Sequence, residues 1–259
     1  MDKIKYFLQF IIILILFFLF KLLGLKYSTI FSGNLMTILG PMFRSNKIVI
    51  SNLTKAFPKL SLQEKKILSK KMWFNYGRIL AEYMYIEYFR KKEKFSNLIT
   101  IENQNILEKI KKESKPVIFI SGHFNNFELM AMQIDKAGID LTAIYRPLNN
   151  IFLNPLMERI RKKYICKKQI RKGIAGTKEL LQNFKNGSSI ALMIDQRVTE
   201  GVMCDFFGQK ARTTTIPAQF VKKFNAKIVP VYIQRFDNNK FKLEFDNIIE
   251  FKSDETLEI

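Results

Sequence analysis

The stretch at residues 117–128 constrains the fold most, because it joins an apolar run, a break and a helical pattern. The run at residues 117–120 is typical of a buried strand, and the following Ser-Gly pair interrupts it. Apolar residues then recur at helical spacing over residues 127–134. His123, the only histidine of the chain, is therefore predicted on a strand-to-helix turn. This is the edge at which open α/β sheets bind their ligands.

The spacing between His123 and Glu128 suggests an acid–base pair. Residues five apart on one regular helix diverge by about 140°, but a helix that begins after His123 leaves the imidazole to fold back over its first turn. Glu128 is then expected to accept a hydrogen bond from one imidazole nitrogen, which makes the other nitrogen a better base. The alternative is a structural histidine in a turn, with Glu128 on a solvated helix face, because H-x-x-x-x-[DE] is a short pattern.

Short apolar runs and amphipathic stretches alternate along the rest of the chain. Strands are predicted at residues 141–145, 189–194, 227–233 and 241–245, and helices at residues 101–112, 154–164, 177–184 and 217–224. Alternation of this kind is typical of a domain in which helices cover a sheet. The predicted fold class is therefore α/β, with a mixed, partly parallel sheet flanked by helices.

Charged side chains follow two of the predicted strands and lie on the helix between them. Arg146 follows one strand and Asp195 follows the other. If these strands are parallel, both residues share the carboxyl edge of the sheet with His123. Arg159 and Arg161, on the intervening helix, suit a phosphate clamp, because a planar guanidinium can bind bidentately. The alternative is a solvated basic helix surface.

Residues 4–25 are long and apolar enough for a membrane-spanning helix. Residues 10–20 form an unbroken apolar run, which with its neighbours approaches the ~20 residues that cross a bilayer. Lys21 lies near one end, where its side chain can reach the interface. A cleaved signal peptide is the alternative, but no A-x-A-like cleavage site is present. We predict an uncleaved single-pass anchor over residues 1–26 and one domain over residues 27–259.

The net charge of +20, from 43 Lys and Arg against 23 Asp and Glu, favours anionic partners. Such partners include nucleic acid, an anionic membrane, phosphorylated substrates and acidic carrier proteins. The sequence contains no Walker loop, no G-x-G-x-x-G and no G-x-S-x-G. One histidine and two separated cysteines, Cys166 and Cys204, argue against a zinc site and a disulfide framework. We therefore expect neither a metal nor a cofactor.

Eight sequence blocks together resemble a known family. They are the N-terminal anchor, Ser121-Gly122-His123 with Glu128, Tyr145-Arg146-Pro147-Leu148-Asn149-Asn150, Arg159-Ile160-Arg161, Ala191-Leu192-Met193-Ile194-Asp195-Gln196, Phe206-Phe207-Gly208, Pro217-Ala218 and Ile228-Val229-Pro230-Val231. Each block is short, but their order and spacing are specific. Over residues 1–251 the chain resembles the lipid A biosynthesis lauroyl/myristoyl acyltransferases, the late acyltransferases of Gram-negative bacteria.

The resemblance implies a fold like that of glycerolipid acyltransferases, in a single-pass inner-membrane enzyme whose catalytic domain faces the cytoplasm. It implies transfer of a fatty acyl group from acyl carrier protein to a hydroxyl of a Kdo-bearing lipid A precursor, without a nucleic-acid partner. His123 is then expected to act as the general base, oriented by Glu128. The expected substrate-binding residues are Arg146, Arg159, Arg161 and Asp195.

The chain departs from the family pattern in two places. Asp205 stands where the family often has a proline before Phe-Phe-Gly, and the chain ends at Ile259, before a C-terminal helix and tail that family members carry. The 27–259 domain is therefore expected to lack its C-terminal end. A related glycerophosphate or glycolipid O-acyltransferase is the nearer alternative, although no Phe-Pro-Glu-Gly-Thr block is present. The more distant alternative is a non-catalytic basic protein that binds membrane or nucleic acid.

Overall fold

The structure, a computed structural model, describes residues 2–236 and 239–251. Its helices are α1 (Asp2–Phe43), α2 (Asn46–Ala56), α3 (Leu62–Glu82), α4 (Ile86–Lys91), α5 (Glu93–Ser96), α6 (Asn105–Glu113), α7 (Glu128–Lys136), α8 (Leu153–Tyr164), α9 (Ile174–Lys185) and α10 (Ile216–Phe224), with a 3₁₀ turn at Tyr83–Tyr85. Its strands are β1 (Ile99–Glu102), β2 (Ile118–Ser121), β3 (Leu141–Tyr145), β4 (Lys168–Arg171), β5 (Ser189–Met193), β6 (Val202–Phe206), β7 (Gln209–Thr213), β8 (Ile228–Phe236) and β9 (Lys240–Phe245).

Seven strands form one mixed sheet in the order β1-β9-β8-β2-β5-β3-β4. The five strands from β8 to β4 are mutually parallel, and β9 runs antiparallel to β8 and parallel to β1. Parallel neighbours need crossover connections, and α7, α8, α9 and α10 lie between successive strands of this sheet. The predicted α/β class, with a mixed, partly parallel sheet flanked by helices, is confirmed, and most of the strand pairs are parallel.

Helices cover both faces of the sheet. Successive side chains of a strand point to opposite faces, so each strand places side chains against the helices on both sides. In β2, Ile118 and Ile120 pack in a cluster with residues of α9 and α10. Phe119 and Ser121 point the other way and line a small cavity with residues of α7. The near-continuous apolar sequence of β2 is what a strand buried on both faces requires. His123 therefore follows a central strand that is packed on both faces.

Several short elements differ from the sequence-based expectations. The helix predicted at residues 101–112 begins only at Asn105, because Ile99–Glu102 pair with β9 as strand β1. The short strand β4 was not predicted, and neither was the two-stranded hairpin of β6 and β7. Strands β4 and β7 consist mostly of polar and charged residues, and Asp205 interrupts β6, so none of the three has the unbroken apolar run that marks a core strand.

The long helix α1 is apolar enough to cross a membrane and is a candidate transmembrane span. Its path bends at Gly24, whose backbone has φ 72° and ψ 165°. A positive φ of this size favours glycine, because a Cβ would strain the backbone. The helical path then continues to Phe43, well beyond the predicted anchor.

The chain divides into two compact units. The first comprises residues 1–13, 86–202 and 213–259, and contains the seven-stranded sheet. The second comprises residues 14–85 and 203–212. In the second unit, α1 and α3 approach so closely that a Cβ at Gly77 would lie 2.1 Å from the carbonyl oxygen of Ser32. That glycine therefore sets the distance between the two helices.

Candidate active site

Three polar residues lie just beyond the carboxyl ends of neighbouring parallel strands. His123 lies two residues after β2, Asp195 two residues after β5, and Arg146 directly after β3. Because β2, β5 and β3 are adjacent in the sheet, these three residues share one edge. The sequence-based placement of this edge is confirmed, and it corresponds to the usual ligand position in α/β sheets.

Asp195 holds His123 by two hydrogen bonds. The imidazole Nδ1 lies 2.7 Å from Oδ1 of Asp195, and the backbone N–H of His123 donates to Oδ2 at 2.8 Å. A carboxylate can only accept, so Nδ1 carries the proton in this bond, and in a neutral imidazole Nε2 then has the lone pair. The edge of the imidazole ring packs against Phe127, with ring centroids 4.8 Å apart. The imidazole is therefore fixed in both tautomer and orientation.

Glu128 does not occupy the position predicted for it beside His123. Its Oε1 accepts from Arg161, at 2.8 Å from Nε and 2.6 Å from a terminal guanidinium nitrogen. The reason is local backbone geometry: α7 begins at Glu128, and the preceding loop turns through Asn125 with φ 43°. This turn sends the imidazole towards the end of β5 and the carboxylate towards α8. The predicted His123–Glu128 hydrogen bond is thus replaced by two separate pairs.

The two pairs differ in exposure. The side chains of His123 and Asp195 are each 33% exposed, whereas those of Glu128 and Arg161 are 8% and 14% exposed. The Arg161 guanidinium also lies over the Tyr145 ring, 5.6 Å from its centroid. Two opposite charges with good hydrogen-bond geometry can be buried together, whereas burying either charge alone would have a large desolvation cost. The first pair can meet a substrate, and the second holds α7 against α8.

A second network, which the sequence did not predict, surrounds Glu158 on α8. The Tyr145 hydroxyl donates to Glu158 at 2.5 Å, Asn154 donates at 2.8 Å, and Arg171 donates to both carboxylate oxygens at 3.0 and 3.2 Å. These donors, Tyr145 foremost, lower the pKa of Glu158 from 4.5 to about 2. Burial and the neighbouring Glu158 raise the pKa of the Tyr145 phenol. Tyr145 thus connects this network to Arg161.

The remaining predicted site residues are more open. Arg146 and Arg159 are exposed, so their guanidinium groups can reach an anionic ligand from solvent. Cys166, by contrast, is buried, and burial raises its pKa to about 12, which makes it an inert thiol. Within the two described ranges, no group of three or more His, Cys, Asp or Glu side chains could hold a metal ion.

Asp195, which the sequence suggested as a substrate-binding residue, directs both carboxylate oxygens to His123 in this structure. The sequence could have indicated this pairing through the same rule that predicts His123 at the carboxyl edge of the sheet. A carboxylate that closely follows a strand parallel to β2 and adjacent to it must lie at the same edge. Chemically, an oriented and partly exposed imidazole can remove a proton from a hydroxyl.

Comparison with known proteins agrees with the resemblance in the sequence. The profile of the family described as bacterial lipid A biosynthesis acyltransferase matches residues 1–259. Lipid A biosynthesis acyltransferase 2 from Shigella flexneri is 23% identical over 183 residues, which cover 70% of this chain and 57% of that protein. Because the family profile extends over the whole chain, the chain belongs to the bacterial lipid A biosynthesis acyltransferase family.

Proposed function

We propose that this protein transfers a fatty acyl group from acyl carrier protein to a hydroxyl of a Kdo-bearing lipid A precursor. Family membership supports acyl transfer in lipid A biosynthesis. The observation that carries the mechanism is the pair of hydrogen bonds from His123 to Asp195, which leaves Nε2 as an oriented base. An alcohol is a poor nucleophile at neutral pH, so a base of this kind is what the reaction needs.

In the proposed reaction, Nε2 of His123 takes the hydroxyl proton as the alcohol oxygen attacks the thioester carbon. Asp195 stabilises the imidazolium that forms, because its carboxylate already accepts from Nδ1. The new ester C–O bond forms as the thioester C–S bond breaks, and the imidazolium returns its proton to the leaving thiolate. No covalent acyl-enzyme is required, so the transfer is direct, through a ternary complex.

The arginines divide into two roles in this proposal. Arg161, together with Glu128, positions α7 and α8, because its guanidinium is engaged with the carboxylate and the Tyr145 ring. Arg146 and Arg159 bind the acidic groups of the acceptor, phosphate or Kdo carboxylate, through bidentate contacts. Both are exposed, as a ligand-binding arginine must be before its ligand arrives.

The proposed carrier and location follow from charge and from α1. A net charge of +20 attracts an acidic carrier protein and an anionic lipid surface. The candidate span in α1 anchors the protein in the inner membrane, and the catalytic residues face the cytoplasm, where acyl carrier protein is available. The attraction to the carrier is electrostatic, so the KM for acyl carrier protein should rise with salt.

The experiment is acyl transfer by purified protein, with mass spectrometry of the lipid product. A Kdo-bearing lipid A precursor should gain the mass of one acyl chain when acyl carrier protein is the donor, and His123→Ala should remove the product. Glycerol 3-phosphate serves as the competing acceptor. Acylation of glycerol 3-phosphate alone would identify a related acyltransferase, and no acylation of either acceptor would favour a non-catalytic basic protein.

A further inference from the structure

Three exposed phenylalanine rings in the second unit form a connected group, in which Phe207 contacts the other two. Phe57, Phe206 and Phe207 are 44%, 53% and 55% exposed. The Phe207 ring lies 5.9 Å from that of Phe57 and 4.7 Å from that of Phe206, measured between centroids. We call these three residues the aromatic triad. Adjacent exposed rings of this size mark a surface that meets an apolar environment.

The triad is presented by a hairpin whose strands do not belong to the core. Strands β6 and β7 form a sheet of their own, and all ten of their residues are exposed or half-buried. The connecting turn places Phe207 at φ 52° and Gly208 at φ 67°. A left-handed backbone favours Gly or Asn, so a phenylalanine at this position opposes the local preference. The turn therefore projects an aromatic ring into solvent where a small polar residue would fit better.

The unit that carries the triad is strongly basic. The second unit, residues 14–85 and 203–212, carries 13 Lys and Arg against three Asp and Glu. Half of the net charge of the chain thus lies in fewer than one third of its residues. Lys55 and Lys59 flank Phe57, and Lys210 and Arg212 follow the hairpin turn, with Lys210 paired to Asp205. Aromatic rings within a basic surface are typical of proteins that lie in the headgroup region of anionic membranes.

We propose that the aromatic triad inserts into the headgroup–acyl boundary of an anionic bilayer, as a membrane contact separate from the span in α1. The second unit also contains most of the apolar segment of α1, from Leu14 onward, so the triad belongs to the same compact body as the candidate span. A second copy of this chain would bring a like-charged surface and be repelled. An acidic soluble protein would match the charge but not the three bare rings.

The experiment measures the depth of a fluorophore at the hairpin in full-length protein reconstituted in vesicles that contain 30 mol% anionic lipid. Cys204→Ser with Gln209→Cys provides one labelling site beside the turn, because the buried Cys166 thiol is unreactive. Lys178→Cys in the same background is the matched control, an exposed position on α9 in the first unit. Quenching by lipids that carry a spin label near the headgroup should be severalfold stronger at position 209 than at position 178.

A second set of variants separates the rings from the charge. Phe206→Ser with Phe207→Ser should reduce the quenching at position 209 to the level at position 178, and Tyr76→Ser, which removes another exposed ring of the same unit, should leave it unchanged. Equal quenching at positions 209 and 178 in otherwise unaltered protein would overturn the proposal. The proposal would also be overturned if acyl carrier protein, and not the vesicles, changed the fluorescence of the label at position 209. None of these readouts depends on acyl transfer, so they are independent of the proposed function.

Discussion

Two pairs of oppositely chargeable side chains lie near the carboxyl edge of the sheet, and they differ in their access to water. His123 and Asp195 are one third exposed, whereas Glu128 and Arg161 are largely buried. Side chains that act on a substrate must be reachable, and buried ion pairs mainly restrict where their elements can lie. In the proposed mechanism, the exposed pair acts on the substrate and the buried pair positions α7 and α8, whereas the sequence spacing predicted a pair of His123 with Glu128.

The largest expected effect is on turnover, at the exposed pair. His123→Ala should lower kcat by roughly 10²- to 10⁴-fold, the usual contribution of a positioned general base. Because the side chain is partly exposed, its removal should change the free energy of unfolding by only about 0.5 kcal/mol. Steady-state acyl transfer and thermal melts in detergent measure the two quantities. A folded His123→Ala protein with near-wild-type turnover would end the general-base role.

The buried pair should show the opposite balance, with its main effect on stability. Arg161→Ala removes one partner of the buried Glu128–Arg161 ion pair and should lower the free energy of unfolding by about 3 kcal/mol. Arg159→Ala, on the same helix but exposed, is the matched control and should cost about 0.5 kcal/mol or less. Chemical denaturation in detergent measures both. Equal, small losses at the two positions would mean that the Glu128–Arg161 pair does not hold α7 to α8.

A smaller and pH-dependent effect is expected at Glu158. Its pKa is about 2 in the folded protein, against an ordinary value of 4.5. A carboxyl with a lowered pKa stabilises the fold above pH 4.5, and this contribution is lost as the pH falls from about 4.5 towards 2. Glu158→Gln should therefore cost about 1 to 2 kcal/mol of unfolding free energy at pH 7. Melting curves at several pH values should show this difference shrinking below pH 4.5, and a constant difference would exclude the charge as its cause.

The sequence predicted the parts of this site that depend on apolar patterns. The runs of β2, β3 and β5 are continuous enough to be recognised as strands, so the turn that bears His123 and the edge that bears Asp195 were both expected. The pairing between them was not, because Asp195 is 72 residues from His123, whereas Glu128 is close in sequence. Which of two carboxylates meets an imidazole depends on the loop backbone at Asn125, and apolar periodicity contains no information about that turn.

The hairpin of β6 and β7 shows the same limit in another form. It lies outside the main sheet and buries little apolar surface, so hydrophobic alternation cannot reveal it. Its Phe206-Phe207-Gly208 sequence suggests a packed turn, yet two of these side chains are more than half exposed. Burial is decided by what packs against a segment, and for this segment only the tertiary structure supplies that answer.

The most direct test of the central claim is the energetic coupling between His123 and Asp195 in acyl transfer. A double-mutant cycle measures kcat for the wild type, Asp195→Asn, His123→Ala and the double variant. A second cycle, in which Glu128→Gln is made in the wild type and in His123→Ala, serves as the comparison. The account predicts that Asp195→Asn lowers kcat by roughly 10²-fold or more alone and by less than about 3-fold once His123 is absent, because residues that act as one unit are non-additive. The losses from Glu128→Gln and His123→Ala should instead multiply. Strong coupling of His123 to Glu128, together with little effect of Asp195→Asn, would contradict the account.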